Sequence, residues 1–256
     1  MGQTPLQLYD GLARDVLAIP TEYRHGARLA PHRHRRAQFL YGIGGIMDVT
    51  TEHGSWVVPS DCAVLIPAGS EHAVTMWGVS TRSLYIEPTA APWFPSKCTV
   101  VEVTPLLREL LAEAVKIPLD GPLNVRDRSV IALTLNEVED CGPLPLDLPL
   151  PSHQALRNQC QLFLQDPGVH ISATWWAAGL NVSERTVARL FRTELSMTVA
   201  EWQRRACVMR ALRQLAAGVP VSTIAADLRY SSPAAFTTMF RQVMGTPPNT
   251  FRSQTR

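Results

Sequence analysis

The chain has 256 residues, enough for two domains that each bury a core. Its formal charge of +2 is unevenly spread: residues 1–150 hold 12 Lys and Arg against 17 Asp and Glu, while residues 151–256 hold 12 against 5, every basic one an Arg. The Arg-rich back half therefore suits a polyanion. With no long apolar run, no signal-type start and cysteines scattered without a C-x-x-C pair, the sequence gives no sign of a membrane span, secretion or a thiolate zinc site, and points to the cytoplasm.

From about Arg14 to Ile86 the chain reads as short strands: Phe39–Tyr41, Ile46–Thr50, Trp56–Val58, Ala63–Ile66, Ala73–Met76 and Ser83–Ile86. Gly42, Gly44, Gly45, Gly54, Pro59, Pro67 and Gly69 punctuate them at the spacing of an all-β sandwich or barrel. His32, His34 and Gln38 have like parity and on a strand would point one way. The run Pro31-His32-Arg33-His34-Arg35-Arg36-Ala37-Gln38, followed by Gly45, resembles the first cupin motif, and Asp61 through Pro67-Ala68-Gly69-Ser70-Glu71-His72 resembles the second.

That resemblance implies a barrel in which His72 joins His32, His34 and Gln38. Three imidazoles and one oxygen suit a divalent transition metal. The sequence departs from the cupin pattern at three places. Gln38 stands where Glu is common and is a weaker, neutral ligand; Asp61 replaces the opening Gly, and Met76 stands at the closing Asn. Two readings stay open: a metal held by these four residues, or a polar interior whose histidines bond an effector or one another. Arg36 shares the histidines' parity and, facing inward, would favour an anionic or carbonyl-bearing small molecule. Tyr41, Trp56 and Trp77 are candidate effector contacts at the barrel mouth.

Two helices are expected next, at about 105–116 and 127–139. Leu106, Leu107, Leu110, Leu111 and Val115 make an apolar stripe wider than packing on a barrel edge requires, which points to self-association as a homodimer. Pro143, Pro145, Pro149 and Pro151 favour an extended spacer. The expected organisation is thus α+β: a sensor barrel over 1–98, a helical pair over 99–140, a linker over 141–152 and an all-α domain over 153–256.

The last domain holds one device twice. Ala177-Ala178-Gly179-Leu180-Asn181-Val182-Ser183-Glu184-Arg185-Thr186-Val187-Ala188-Arg189-Leu190-Phe191-Arg192 has an Ala in a first helix, a turn, a Ser cap and a second helix ending at Phe-Arg. Ile224 to Phe236, continuing to Met239-Phe240-Arg241, repeats that layout. It is the layout of a helix-turn-helix, two of them joined by a long helix over 198–217 that ends at Gly218. In the first copy Ser183 caps, and Glu184, Arg185, Thr186, Ala188, Arg189 and Arg192 are the DNA-facing set. Arg185 and Arg189 reach base edges or phosphates. In the second copy Ser232 caps and Ala234, Thr237, Thr238 and Arg241 are exposed, a set poor in long donors. The first helix should therefore discriminate bases more strongly.

Residues from about 155 to 253, including the closing Phe240-Arg241-Gln242-Val243-Met244-Gly245-Thr246-Pro247-Pro248-Asn249-Thr250-Phe251-Arg252, resemble the C-terminal domain of the AraC/XylS family of bacterial transcription regulators. The resemblance implies contact with adjacent major grooves of double-stranded promoter DNA, control of transcription with RNA polymerase as partner, and a small-molecule effector. It implies no catalytic residues. Arg229 departs from it, standing where Gly usually precedes the aromatic Tyr230; in a left-handed turn it would be strained by about 1 kcal/mol, or it adds a phosphate contact. Two other readings remain: a cupin metal-dependent enzyme with a DNA-binding tail, and a barrel that serves only dimerisation.

Overall fold

The computed structural model describes residues 11–251. Arg252 of the closing segment and the start of the expected 1–98 domain lie outside the described residues. The chain divides into two compact units, one of residues up to Thr51 together with Val58–Leu144, the other of Glu52–Val57 together with Pro145 onward.

The first unit is built on strands β1 (Val16–Glu22), β2 (Ala27–His32), β3 (Ala37–Ile43), β4 (Ile46–Thr51), β6 (Cys62–Ile66), β7 (His72–Trp77), β8 (Ser80–Ile86) and β9 (Thr99–Glu102); β5 (Gly54–Pro59) has its first residues in the other unit. One antiparallel sheet runs β1-β8-β3-β6-β9, and β4-β7-β2 belong to a second. Each strand expected from the sequence is present, most of them longer. The first sheet uses both faces. Phe39, Tyr41, Leu84, Ile86, Val16 and Ala18 pack with Leu107, Leu111 and Ala114 of α1 (Pro105–Ala114) and Val138 of α2 (Val125–Glu139). The residues between them, Gln38, Ser83, Tyr85, Leu17 and Ile19, turn to the opposite face.

Both helices begin on side-chain caps, Thr104 accepting from the Leu107 N–H and Asn124 from that of Asp127. Of the expected leucine stripe, Leu107 and Leu111 are fully buried while Leu106 is 49% exposed, as are Val125 (73%) and Leu133 (42%) on α2.

The Pro-rich segment, expected as an extended spacer, runs extended and is paired. Leu144 donates to Val100 O, Pro143 bridges to Val101, and β10 (Asp147–Pro149) pairs with Gly54–Trp56. Proline is tolerated because β10 lies at a sheet edge, where a missing N–H is not needed. The second unit continues with α3 (Gln154–Gln165), α4 (Ala173–Leu180), α5 (Glu184–Leu195), α6 (Val199–Ala216), α7 (Val221–Asp227) and α8 (Pro233–Met244).

Gly45, between β3 and β4, has φ +51°, and a Cβ there would lie 1.9 Å from Trp77 O. Gly69 also has a left-handed φ, but open space around it. Gly45→Ala should cost more than about 2 kcal/mol of unfolding free energy by chemical denaturation, and Gly69→Ala only about 1 kcal/mol; equal effects would place the constraint in backbone strain alone.

Candidate functional site

Two places in the fold concentrate polar chemistry, one in each unit. In the first unit, His32 ends β2 opposite His72 on β7, after a register shift in the β2–β7 pairing that follows Leu29. His34 lies beyond the strand and Gln38 is on β3, in the other sheet. The histidines are therefore not brought together by parity along a single strand, as the sequence suggested. A bulge and a loop do it. The ring centroids of His32 and His72 are 4.4 Å apart and those of His34 and His72 are 5.1 Å apart. One nitrogen from each of the three lies within 4.8 Å of the others.

Each ring is oriented by a backbone carbonyl two residues away. His32 Nδ1 bonds Ala30 O at 2.9 Å, His34 Nδ1 bonds Arg36 O at 3.0 Å, and His72 Nδ1 bonds Ser70 O at 2.9 Å. A carbonyl only accepts, so Nδ1 is the donor in each ring, and in a neutral ring Nε2 is left as the acceptor. His72 Nε2 is buried without a hydrogen bond, and burial holds the His72 pKa down to about 4. His34 Nε2 lies 3.1 Å from Gln38 Oε1, within hydrogen-bond distance. The Gln38 amide nitrogen donates to Ser83 Oγ (3.3 Å) and Tyr85 OH (3.2 Å), and that orientation turns its oxygen toward the histidines. Rotated by 180°, the amide would donate to His34 Nε2 and accept from the two hydroxyls instead. The donor set fits a divalent cation: three imidazole lone pairs and an amide oxygen converge, and one is an orphaned buried acceptor.

Three expected effector contacts are placed elsewhere. Arg36 is fully buried, but its guanidinium is committed to Glu87 (2.8 Å) and to the carbonyls of Arg14 (2.6 Å) and Leu12 (2.8 Å). The parity argument failed because Arg36 lies in the loop before β3, not on it. Tyr41 packs on the helix-covered face with Leu107 and Leu111, its hydroxyl beside Arg108, instead of at a mouth. Trp77 donates to Asp48 Oδ2 at 2.9 Å and shares the β4–β7 face opposite Val74 and Met76. Trp56 is buried with an indole N–H that makes no hydrogen bond. Ser83 and Tyr85, the partners of Gln38, were missed; their signal was a pair of polar groups at like parity in an otherwise apolar strand.

In the second unit an aromatic core fixes α5. Trp176 of α4 packs against Phe191 of α5 (5.1 Å between centroids), Phe163 of α3 (5.4 Å) and Trp202 of α6 (5.9 Å). Ser183 caps α5 through the Thr186 N–H, and its hydroxyl also bonds Thr186 Oγ1 at 3.0 Å. With Val187, Phe191 and Leu195 buried, Arg185, Ala188, Arg189 and Arg192 remain as one exposed stripe. Glu184 is exposed but accepts from Thr174 Oγ1 at 2.8 Å.

On α8, Ser232 caps through the Ala235 N–H, Phe236 and Phe240 are buried, and Ala234, Thr238 and Arg241 are exposed, with Thr237 half-buried. Between them, α6 starts on a Thr198–Glu201 capping box and ends at Gly218, which has a left-handed φ. The turns before α5 and α8 both use a left-handed residue, Asn181 (φ 52°) and Arg229 (φ 61°). Arg229 does adopt the left-handed conformation, and its side chain pairs with Asp166.

Residues 176–254 match a family model described as a helix-turn-helix domain. Over 221 residues the chain is 29% identical to the HTH-type transcriptional regulator NimR of Escherichia coli (strain K12), covering 86% of this chain and 81% of NimR. Among solved structures it is similar to ToxT from Vibrio cholerae, at 9% identity and a TM-score of 0.39 over 93% of this chain and 98% of that one. It is also similar to the C-terminal domain of AraT, a response regulator from Geobacillus stearothermophilus, at 25% identity and a TM-score of 0.36 over 39% of this chain and 84% of that one.

Phe191→Ala should cost about 3–5 kcal/mol of stability, as for a buried aromatic, and Arg185→Ala less than about 0.5 kcal/mol, as for a surface residue. Chemical denaturation checks both; a large stability loss for Arg185→Ala would mean that the stripe is structural.

Proposed function

We infer that this chain, a DNA-binding transcription regulator of the AraC/XylS type, reads promoter DNA with two helix-turn-helix pairs and responds to a ligand held in its cupin-like barrel. The observation that carries the DNA reading is the exposed stripe Arg185, Ala188, Arg189 and Arg192, presented by a helix inside the segment that matches a helix-turn-helix domain. α4–α5 is the first pair and α7–α8 the second. The 18 residues of α6 span about 27 Å at 1.5 Å per residue, a length comparable with the roughly 34 Å between successive major grooves on one DNA face. Arg185 and Arg189 have the reach for guanine edges, and Arg192 lies a turn further along, nearer the phosphates. Ala234, Thr237 and Thr238 offer methyl and hydroxyl contacts, and Arg241 a phosphate contact.

The barrel supplies the sensor. His32, His34, His72 and Gln38 would hold a divalent transition metal, whose contribution is Lewis acidity and an open coordination position for an effector. The chain's own residues fix the imidazole orientation through Ala30, Arg36 and Ser70, and fix the Gln38 amide through Ser83 and Tyr85. Leu106, Val125 and Leu133, exposed on α1 and α2, support a homodimer contact on the helical pair. RNA polymerase is the expected further partner of a regulator at a promoter. The relative matched over most of the chain carries a regulator's name, which favours this reading over an enzyme with a DNA-binding tail.

DNA-binding titrations test the reading. Arg185→Ala should weaken a selected site by about 1–3 kcal/mol and random DNA far less. Arg192→Ala should lower the slope of log affinity against log salt by about 1, and Arg229→Ala, tied to Asp166, should leave it unchanged. An equal loss on both DNAs for Arg185→Ala would reject base reading by that residue.

A further inference from the structure

We propose that Glu194 is a positioning residue of the base-reading helix: its carboxylate ties the back of α5 to the chain at Ser152 and His153, and that tie sets the angle at which Arg185 and Arg189 meet DNA. This rests on the DNA reading above and adds a residue that aims the helix.

Glu194 stands in the last turn of α5 and is exposed, a position where a carboxylate is ordinarily left to water. Here its Oε2 accepts two backbone N–H groups from consecutive residues, Ser152 at 2.9 Å and His153 at 3.1 Å. The donors are main-chain groups 42 and 41 residues away in sequence, so the contact joins two helices and is no local turn. His153 is the N-cap of α3, and the negative charge therefore also lies where the open N–H groups of that helix favour an anion. Nine residues separate Arg185 from Glu194, about two and a half turns at 3.6 residues per turn, which puts the two on opposite sides of α5. Val187, Phe191 and Leu195 hold the inner face by apolar burial, which is non-directional, whereas two hydrogen bonds to one oxygen fix a direction.

The same stretch of chain reaches α5 by a second route. Pro149 O accepts the Trp202 indole N–H at 2.9 Å, and the Trp202 ring meets Phe191 of α5 edge-on at 6.0 Å. Arg157 of α3 holds the stretch between these points, its Nε donating to Pro151 O at 2.9 Å. Base reading needs side chains held within about 10–20° of their productive geometry. With Phe191 as the pivot, Arg185 lies about 9 Å away at 1.5 Å per residue. A tilt of about 10° then moves it by about 1.6 Å, enough to break a paired hydrogen bond to a base edge.

The test uses the full-length protein in DNA-binding titrations on a site selected by wild type and on random DNA. The readout is the ratio of the two affinities, because a change in net charge moves both alike. Glu194→Ala removes the acceptor, Glu194→Asp keeps the charge but shortens the reach, and Glu194→Gln keeps an acceptor oxygen without the charge. The expected result is a ratio at least about fivefold lower for Glu194→Ala and Glu194→Asp, the least that one lost base contact costs, and within about twofold of wild type for Glu194→Gln. Circular dichroism checks the fold of each variant, and Glu194→Asp carries the comparison should Glu194→Ala fail to fold. An unchanged ratio in both overturns the tie, while the base reading stands if Arg185→Ala lowers the ratio. A loss in Glu194→Gln equal to that in Glu194→Ala assigns the effect to charge and overturns the positioning role. No loss of ratio in Arg185→Ala overturns base reading by that residue and this inference together.

Discussion

Each histidine of the cluster gives its Nδ1 proton to a backbone carbonyl, and the barrel's chemistry follows from what that leaves behind. One nitrogen of each ring then faces a common region, all three within 4.8 Å of one another. The Gln38 oxygen is aimed at His34 while its amide nitrogen is engaged by Ser83 and Tyr85. In that orientation three imidazoles and an amide oxygen are gathered in an arrangement that a cation would suit. The backbone stores this orientation in short loops and a bulge, so it does not depend on long, mobile side chains.

The second unit solves a different problem with the same economy. A helix with an exposed outer stripe, as α5 has, must have its position fixed from the inner side. Trp176, Phe191, Trp202 and Phe163 do this with edge-to-face and stacked contacts, and the Ser183 cap fixes where the helix starts. The α8 helix repeats the logic with Phe236 and Phe240 inside and a Ser232 cap. Arg229 shows the compromise: a left-handed turn is retained at a non-glycine residue, with its side chain drawn to Asp166.

Much of this was legible in the sequence. Cap residues, buried helical spacing and the strands between glycine turns were all readable because each is a local rule. Three of the missed strands, β1, β2 and β10, carry Pro20, Pro31 and Pro149, which argue against a strand until one knows that all three lie at sheet edges. Arg36, Tyr41 and Trp77 were misassigned because facing depends on where a strand begins and which face a helix pair covers. Both are tertiary facts. His32 and His34 were grouped with Gln38 for a reason that does not hold, since a loop separates them from β3; the motif resemblance, not the parity, carried that grouping. The carbonyl partners of the rings had no sequence signal at all.

The central claim is that this cluster holds a metal, and elemental mass spectrometry of untagged protein purified without chelator tests it most directly. The account predicts close to one equivalent of a divalent transition metal in wild type and its loss in His34→Ala that remains folded by circular dichroism. Metal-free wild type that also fails to take up added Zn(II) or Co(II) would contradict it, and would leave the histidines to bond an organic ligand directly.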